Sequence, residues 1–166
     1  MYVDFYIVDN DYLNYLRNFD SRVSMNHNNA KQRPFVSILA SCLGVDYLIP
    51  LTHKRKSRTL GTLPLNIKRG TNIHNFGTLL INNMIPFRAD AARRLVINSV
   101  SDFKYKILLR NQWSILREEK FRLRLEKAVV RAYAFQTNQQ NSNNPIYDNF
   151  IDYKLLESKA AEYIKQ

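Results

Sequence analysis

The side chains best suited to chemistry follow one predicted strand in an unbroken run. Thr52, His53, Lys54, Arg55 and Lys56 supply a hydroxyl, an imidazole and three cations to a single loop. An imidazole has an ordinary pKa near neutrality, so His53 can act as a general acid or a general base. The cations can neutralise a phosphate, and the Thr52 hydroxyl can donate to a phosphoryl oxygen.

These groups suffice for cleavage of RNA without a metal ion. A base removes the proton of the ribose 2′-hydroxyl, positive charge stabilises the phosphorane, and an acid protonates the leaving 5′-oxygen. A second interpretation stays open on the residues alone. In it, His53 is a turn residue and the neighbouring cations form a solvated run.

Arg33 is a further candidate for the same site. It precedes a predicted strand over residues 34–43, which turns at Gly44 and returns towards Thr52. An antiparallel hairpin would bring Arg33 close to Thr52. An ordinary cation at a strand end is the alternative.

The overall charge favours a polyanionic partner. Lys and Arg total 25 against 14 Asp and Glu, which gives a net charge of +11. Such a field attracts nucleic acid first and an anionic membrane surface second. Acidic residues of the late helices, at positions 118, 119 and 126, could pair with some of these cations. The candidate RNA-binding residues are Lys56, Arg58, Lys68, Arg69, Arg117, Lys120 and Arg124.

Several function classes are excluded by composition. Only 4 glycines occur, and neither glycine-rich phosphate-binding pattern is present, which excludes P-loop and Rossmann proteins. Cys42 is the single cysteine, so an internal disulfide or a thiolate zinc site is excluded. His27 and His74 have no partner at metal-ligand spacing, and we expect no metal and no cofactor.

The chain lacks the features of a secreted or membrane protein. The first residues have no signal-peptide pattern, and no apolar run approaches the roughly 20 residues that span a bilayer. We therefore expect a soluble, cytoplasmic protein with one domain over residues 1–166.

The elements that must position the site are strands first and helices later. Alternating apolar residues predict strands, and wider apolar spacing predicts helices, one of them after Asp9. Residues 52–71 are predicted to form an exposed basic loop with partial order around residues 63–65. A change of phase near Glu118 leaves two helices or one bent helix open. This order predicts an α+β fold on an antiparallel sheet. The predicted strands cover residues 3–8, 35–43, 47–51 and 77–86, and the later helices begin near residues 105, 121 and 152.

The sequence resembles the ToxN/AbiQ endoribonuclease toxins of type III toxin–antitoxin systems. The resemblance spans nearly the whole chain, and its specific part is the hairpin that ends in Pro50-Leu51-Thr52. The other matching passages are residues 12–23, residues 77–86, residues 105–134 and a terminal helix near residues 155–157.

The resemblance implies a fold, an activity and a partner. The fold would be a twisted antiparallel sheet flanked by helices, like that of the MazF, Kid and CcdB toxins. The activity would be metal-independent RNA cleavage that leaves a 2′,3′-cyclic phosphate and a 5′-hydroxyl. The partner would be a small repeated antitoxin RNA whose pseudoknots bind the toxin, often in closed protein–RNA rings. Phage abortive infection and plasmid maintenance are the family's settings.

The resemblance also assigns site residues. Thr52 matches the active-site Thr, while His53 stands where the family usually has Ser. The family's Lys two places further falls on Arg55, although Lys54 or Lys56 could take that role, and an earlier family Lys falls on Arg33. The predicted catalytic residues are His53, Thr52, Lys54, Arg55 and Arg33.

Two other functions remain open on the sequence. A non-catalytic basic RNA-binding protein would use the same charged surface. A toxin of similar fold that binds a protein target is a third possibility, which the basic charge disfavours.

Overall fold

One antiparallel sheet carries the site-bearing strand near its middle. The computed structural model describes residues 3–25, 35–40 and 44–165. Within them the strands are β1 (Phe5–Val8), β2 (Phe35–Ala40), β3 (Val45–Thr52), β4 (Thr62–Arg69), β5 (Asn72–Leu80), β6 (Ile85–Pro86) and β7 (Ala92–Arg94). Their order across the sheet is β4-β5-β3-β2-β1-β7, with the short β6 also paired to β3.

The predicted hairpin around Gly44 is confirmed. Gly44 has a φ of 67°, a left-handed conformation that glycine adopts at low cost. The register pairs Phe35 with Pro50 and Ala40 with Val45. Beyond that hairpin, the end of β3 pairs with β5 instead, which joins Leu51 to Leu79 and Thr52 to Thr78.

The prediction of an exposed loop over residues 52–71, with some order around residues 63–65, is wrong for residues 62–69. Residues from Thr62 to Arg69 form β4, which pairs with β5 along its length. Leu63 and Leu65 are fully buried, so this strand closes one side of the core. Leu63, Leu65 and Ile67 alternate as in a strand, but Pro64 and the basic composition of residues 52–71 favour a loop in the sequence.

The predicted strand over residues 77–86 is two strands with a break. β5 begins earlier, at Asn72, and ends at Leu80. A 3-10 turn at Ile81–Asn83 then redirects the chain into β6. The break lets the chain pair with β3 twice, once on each side of that turn.

Four helices lie among the described residues, in agreement with the late helical pattern. They are α1 (Asn10–Arg17), α2 (Phe103–Arg117), α3 (Glu119–Thr137) and α4 (Tyr153–Glu162). The side chain of Asp102 caps α2 by accepting from the Tyr105 N–H at 3.0 Å, and Asp152 caps α4 in the same way. Glu118 is extended, with ψ of 126°, so the change of phase there separates two helices.

A tyrosine network fixes the helices to β3. Tyr47 and Tyr133 both donate hydrogen bonds to Oε1 of Glu157, and Lys154 Nζ lies 3.0 Å from Oε2. The ring of Tyr133 stacks on that of Tyr153, at 5.8 Å between centroids. The network joins β3, α3 and α4 through one half-buried carboxylate.

The architecture confirms the predicted α+β class, with an antiparallel sheet and helices packed on it. Among the described residues, no helix is long and apolar enough to span a bilayer.

Candidate active site and nucleic-acid interface

The candidate site begins where β3 ends. Thr52 is the last residue of β3 and its side chain is buried, with 7% of the residue exposed. Its Oγ1 accepts a hydrogen bond from the Lys54 N–H at 3.3 Å. That acceptor role leaves the hydroxyl proton available to an incoming oxygen.

His53 and the three cations after it face solvent. His53, Lys54, Arg55 and Lys56 are all exposed. None of these side chains forms a salt bridge within the part of the chain that the structure describes. The imidazole and its neighbouring cations are therefore open to an anionic ligand.

Thr78 of β5 fixes the backbone of this loop through two hydrogen bonds. Thr78 is fully buried and lies opposite Thr52 in the register of β3 and β5. Its Oγ1 donates to the Lys54 carbonyl oxygen at 3.0 Å and accepts from the Lys56 N–H at 3.2 Å. One hydroxyl thus holds two points of the loop.

Gly77 allows the strands to approach closely beside this contact. Its φ is 129°, and a Cβ there would lie 2.6 Å from the Thr52 carbonyl oxygen and 3.2 Å from Gln112 Nε2. The same Nε2 donates to the Phe76 carbonyl oxygen at 2.6 Å. Through Gln112, α2 packs against the back of the site.

A groove of about 430 Å³ lies where the site loop approaches α3. It brings two predicted RNA-binding residues together, because Arg58 and Arg124 both line it. Lys127 and Arg131, which belong to the basic late helix of the sequence but are not among the residues predicted to bind RNA, also line the groove. Their spacing from Arg124, three and seven residues along a helix, is the signal that could have identified them.

The remaining predicted RNA-binding residues do not line the groove, although Lys120 lies four residues before Arg124 on α3. The Arg117 guanidinium lies over the Trp113 ring, 4.3 Å from its centroid, and Lys120 is exposed at the start of α3. Lys68 lies six residues beyond Thr62 on β4, about 20 Å along the strand. The structure therefore separates Lys68 from the groove-side end of β4.

Some predicted residues lie outside the described part of the chain. These are Arg33, His27, Cys42 and the side chain of Arg69. His74 is exposed on β5. Within the described ranges, no three His, Cys, Asp or Glu side chains cluster as metal ligands.

Thr78 and Gln112 were not predicted as site residues. Thr78 belongs to a predicted strand, but its partner on β3 depends on a pairing between strands that are distant in sequence. Gln112 lies within a helical pattern, and its contact with β5 is visible only in the packed structure.

Known proteins are similar to this chain in both sequence and fold. The family described as Toxin ToxN, type III toxin–antitoxin system, matches residues 4–161. An Endoribonuclease ToxN from Bacillus thuringiensis subsp. kurstaki is 29% identical over 164 residues, which cover 96% of this chain and 83% of that protein.

Two solved structures superimpose on nearly the whole chain. One comes from bacterial type III systems with selective toxin inhibition by a non-coding RNA pseudoknot; it is 26% identical, covers 100% of both chains and has a TM-score of 0.84. AbiQ, a lactococcal anti-phage endoribonuclease of the type III system, is 22% identical, covers 98% of both chains and has a TM-score of 0.82. The family match extends from β1 to α4, and the chain therefore belongs to the ToxN family of type III toxin–antitoxin toxins.

Proposed function

We propose that this protein is an endoribonuclease toxin that cleaves RNA by attack of a ribose 2′-hydroxyl on its own phosphodiester. The products are a 2′,3′-cyclic phosphate and a 5′-hydroxyl, and no metal ion takes part. The observation that carries this proposal is the exposed His53 beside Thr52, on a loop that Thr78 holds in place. Membership of the ToxN family supports it.

The proposed catalytic residues have separate chemical roles. His53 transfers the proton, as base, acid or both. The Thr52 hydroxyl donates to a phosphoryl oxygen, because the hydrogen bond that it accepts from the Lys54 N–H does not use its proton. Lys54, Arg55 and Arg33 stabilise the negative charge of the phosphorane.

The proposed partners are RNA molecules of two kinds. Cellular or phage RNA is the substrate, and a repeated pseudoknot RNA is the antitoxin, bound directly and in a closed protein–RNA ring. The residues proposed to bind RNA are Lys56, Arg58, Lys68, Arg69, Arg117, Lys120 and Arg124. The proposal includes a single domain in the cytoplasm, a likeness to the MazF, Kid and CcdB fold, and a role in phage abortive infection or plasmid maintenance.

The test is to map the ends of a defined RNA after incubation with purified protein in excess EDTA. We expect cyclic phosphate and 5′-hydroxyl ends from the wild type and a large loss of cleavage for Thr52→Ala. Strict dependence on added magnesium would refute the metal-free reaction. Intact RNA at every protein concentration would refute the endoribonuclease assignment and favour a protein that only binds RNA.

A further inference from the structure

The groove between the site loop and α3 is lined by groups that suit a phosphate backbone. Arg58, Arg124, Lys127 and Arg131 contribute four cations, and Thr59 and Thr62 contribute hydroxyls. Leu60, Leu63 and Ala128 form the apolar part of the lining.

One wall of the groove is a continuous face of α3. Arg124, Lys127 and Arg131 follow one another at intervals of three and four residues, which places them on the same side of a helix. At 1.5 Å of rise per residue, the face is about 10 Å long. All three residues are exposed.

The other wall is a loop that its own threonines hold in shape. Thr62 Oγ1 donates to the Ser57 carbonyl oxygen at 2.7 Å and lies 2.7 Å from Thr59 Oγ1. The Gly61 N–H donates to Thr59 Oγ1 at 3.2 Å. These contacts fix the backbone on both sides of Arg58.

The four cations have no carboxylate partners among the described residues. None of them forms a salt bridge there, and the groove has no acidic side chain in its lining. Like charges in one groove repel each other, so binding of an anion relieves that repulsion. Among the residues that the structure describes, the lining also has no aromatic ring on which a base would stack.

We infer that this groove binds the sugar–phosphate backbone of a single-stranded RNA, independently of base sequence, next to the segment that is cleaved. The inference rests on the proposed function. Thr52 ends β3, and the loop that follows carries His53 at its start and Arg58 near its end. An RNA strand that follows this loop places one phosphate at His53 and a neighbouring part of its backbone in the groove. The groove therefore contributes affinity, while His53 and Thr52 carry out the reaction.

The test compares two pairs of substitutions that remove equal charge. Lys127→Ala with Arg131→Ala removes two groove cations, and Lys104→Ala with Lys106→Ala removes two lysines of α2 that do not line the groove. A second groove pair, in which Arg124→Ala replaces one of these two substitutions, repeats the test at another position of the groove. Binding is measured with a 2′-O-methyl oligonucleotide, which has no free 2′-hydroxyl, over a range of salt concentrations.

We expect the groove pair to weaken binding. The slope of log affinity against log salt is negative and should become less steep by about 1.4, because two contacts with a single strand are lost. The α2 pair should keep the wild-type slope. With cleavable RNA, the groove pair should raise KM, leave kcat near that of the wild type and leave the cut position unchanged. Unaltered binding by the groove pair, or an equal loss for both pairs, would overturn the inference.

Two further outcomes separate the possible explanations. An oligodeoxyribonucleotide and oligonucleotides of other sequences should show the same loss, and a loss restricted to one sequence or to ribose would contradict backbone binding. A wild type that binds but never cleaves would refute the proposed function, while the binding comparison would still test the groove.

Discussion

The Thr78 hydroxyl holds the Lys54 carbonyl oxygen at 3.0 Å, from a strand that pairs with the end of β3. The same hydroxyl accepts from the Lys56 N–H. Because these contacts are made to backbone atoms, they fix the path of the loop whatever side chains it carries. The chemistry proposed for Thr52 and His53 would therefore depend on Thr78, a fully buried residue.

Removing the Thr78 hydroxyl should impair catalysis more than binding. Thr78→Val keeps the branched shape but leaves the loop without either hydrogen bond. We expect kcat to fall by about 10- to 100-fold, since small displacements of reacting groups have effects of this size, with a small change in KM. Thr78→Ser retains the hydroxyl and should stay close to the wild type.

Limited trypsin digestion measures how readily the same loop opens, and it does so independently of enzyme activity. Cleavage after Lys54, Arg55 or Lys56 should be faster in Thr78→Val than in Thr78→Ser. Equal digestion and equal kcat in the two variants would show that the hydroxyl does not hold the loop.

The close approach at Gly77 predicts a large effect of one added methyl group. In Gly77→Ala the Cβ would lie 2.6 Å from the Thr52 carbonyl oxygen, at a φ of 129°. We expect a loss near the upper end of about 1–3 kcal/mol in the free energy of unfolding, measured with urea, together with reduced cleavage.

Gly70 offers a matched comparison. It also has a positive φ, of 59°, but a Cβ there meets nothing within 4 Å. Gly70→Ala should lose about 1 kcal/mol, from the backbone conformation alone. A loss for Gly70→Ala as large as that for Gly77→Ala would contradict the argument from crowding.

The carboxylate of Glu157 predicts a dependence of stability on pH. Burial opposes its ionisation, yet hydrogen bonds from Tyr47, Lys154 and Tyr133 outweigh burial and hold the pKa of Glu157 below its usual value. A carboxylate whose pKa is lowered on folding stabilises the protein above its unfolded-state pKa, and this stabilisation is lost as the pH falls through the folded-state value.

Glu157→Gln tests this dependence. The wild type should exceed Glu157→Gln in free energy of unfolding at neutral pH, and the difference should shrink below about pH 4.5. Glu162→Gln is the control, because Glu162 is an exposed residue of the same helix that pairs with Lys159. A difference between wild type and Glu157→Gln that is constant from neutral to acid pH would rule out the proposed role of the ionised carboxylate.

The hairpin that carries the site could be predicted because its signals are local. Phe35, Gly44 and Thr52 lie within one short stretch, where alternating apolar residues and a turn residue determine the pairing. The boundary between α2 and α3 could be located for the same reason, since the apolar pattern changes phase at Glu118.

Features that depend on distant pairings could not be predicted. β4 is an exception, because its signals are local: Leu63, Leu65 and Ile67 alternate, and the strand pairs with β5 across the two-residue turn at residues 70–71. The loop prediction gives the basic composition of residues 52–71 more weight than this alternation. Thr78 becomes a site residue through its register with Thr52, which the sequence does not specify. Arg58 and Arg131 meet in one groove because the loop packs beside α3, a tertiary contact with no local signal.

The most direct test of the central claim is to measure cleavage and RNA affinity side by side for the wild type and His53→Ala. A positioned acid or base contributes about 10²- to 10⁴-fold to rate, so the variant should lose at least about 100-fold in cleavage. His53 is exposed, so the fold and the RNA affinity should remain near those of the wild type. Wild-type cleavage by His53→Ala would contradict the account.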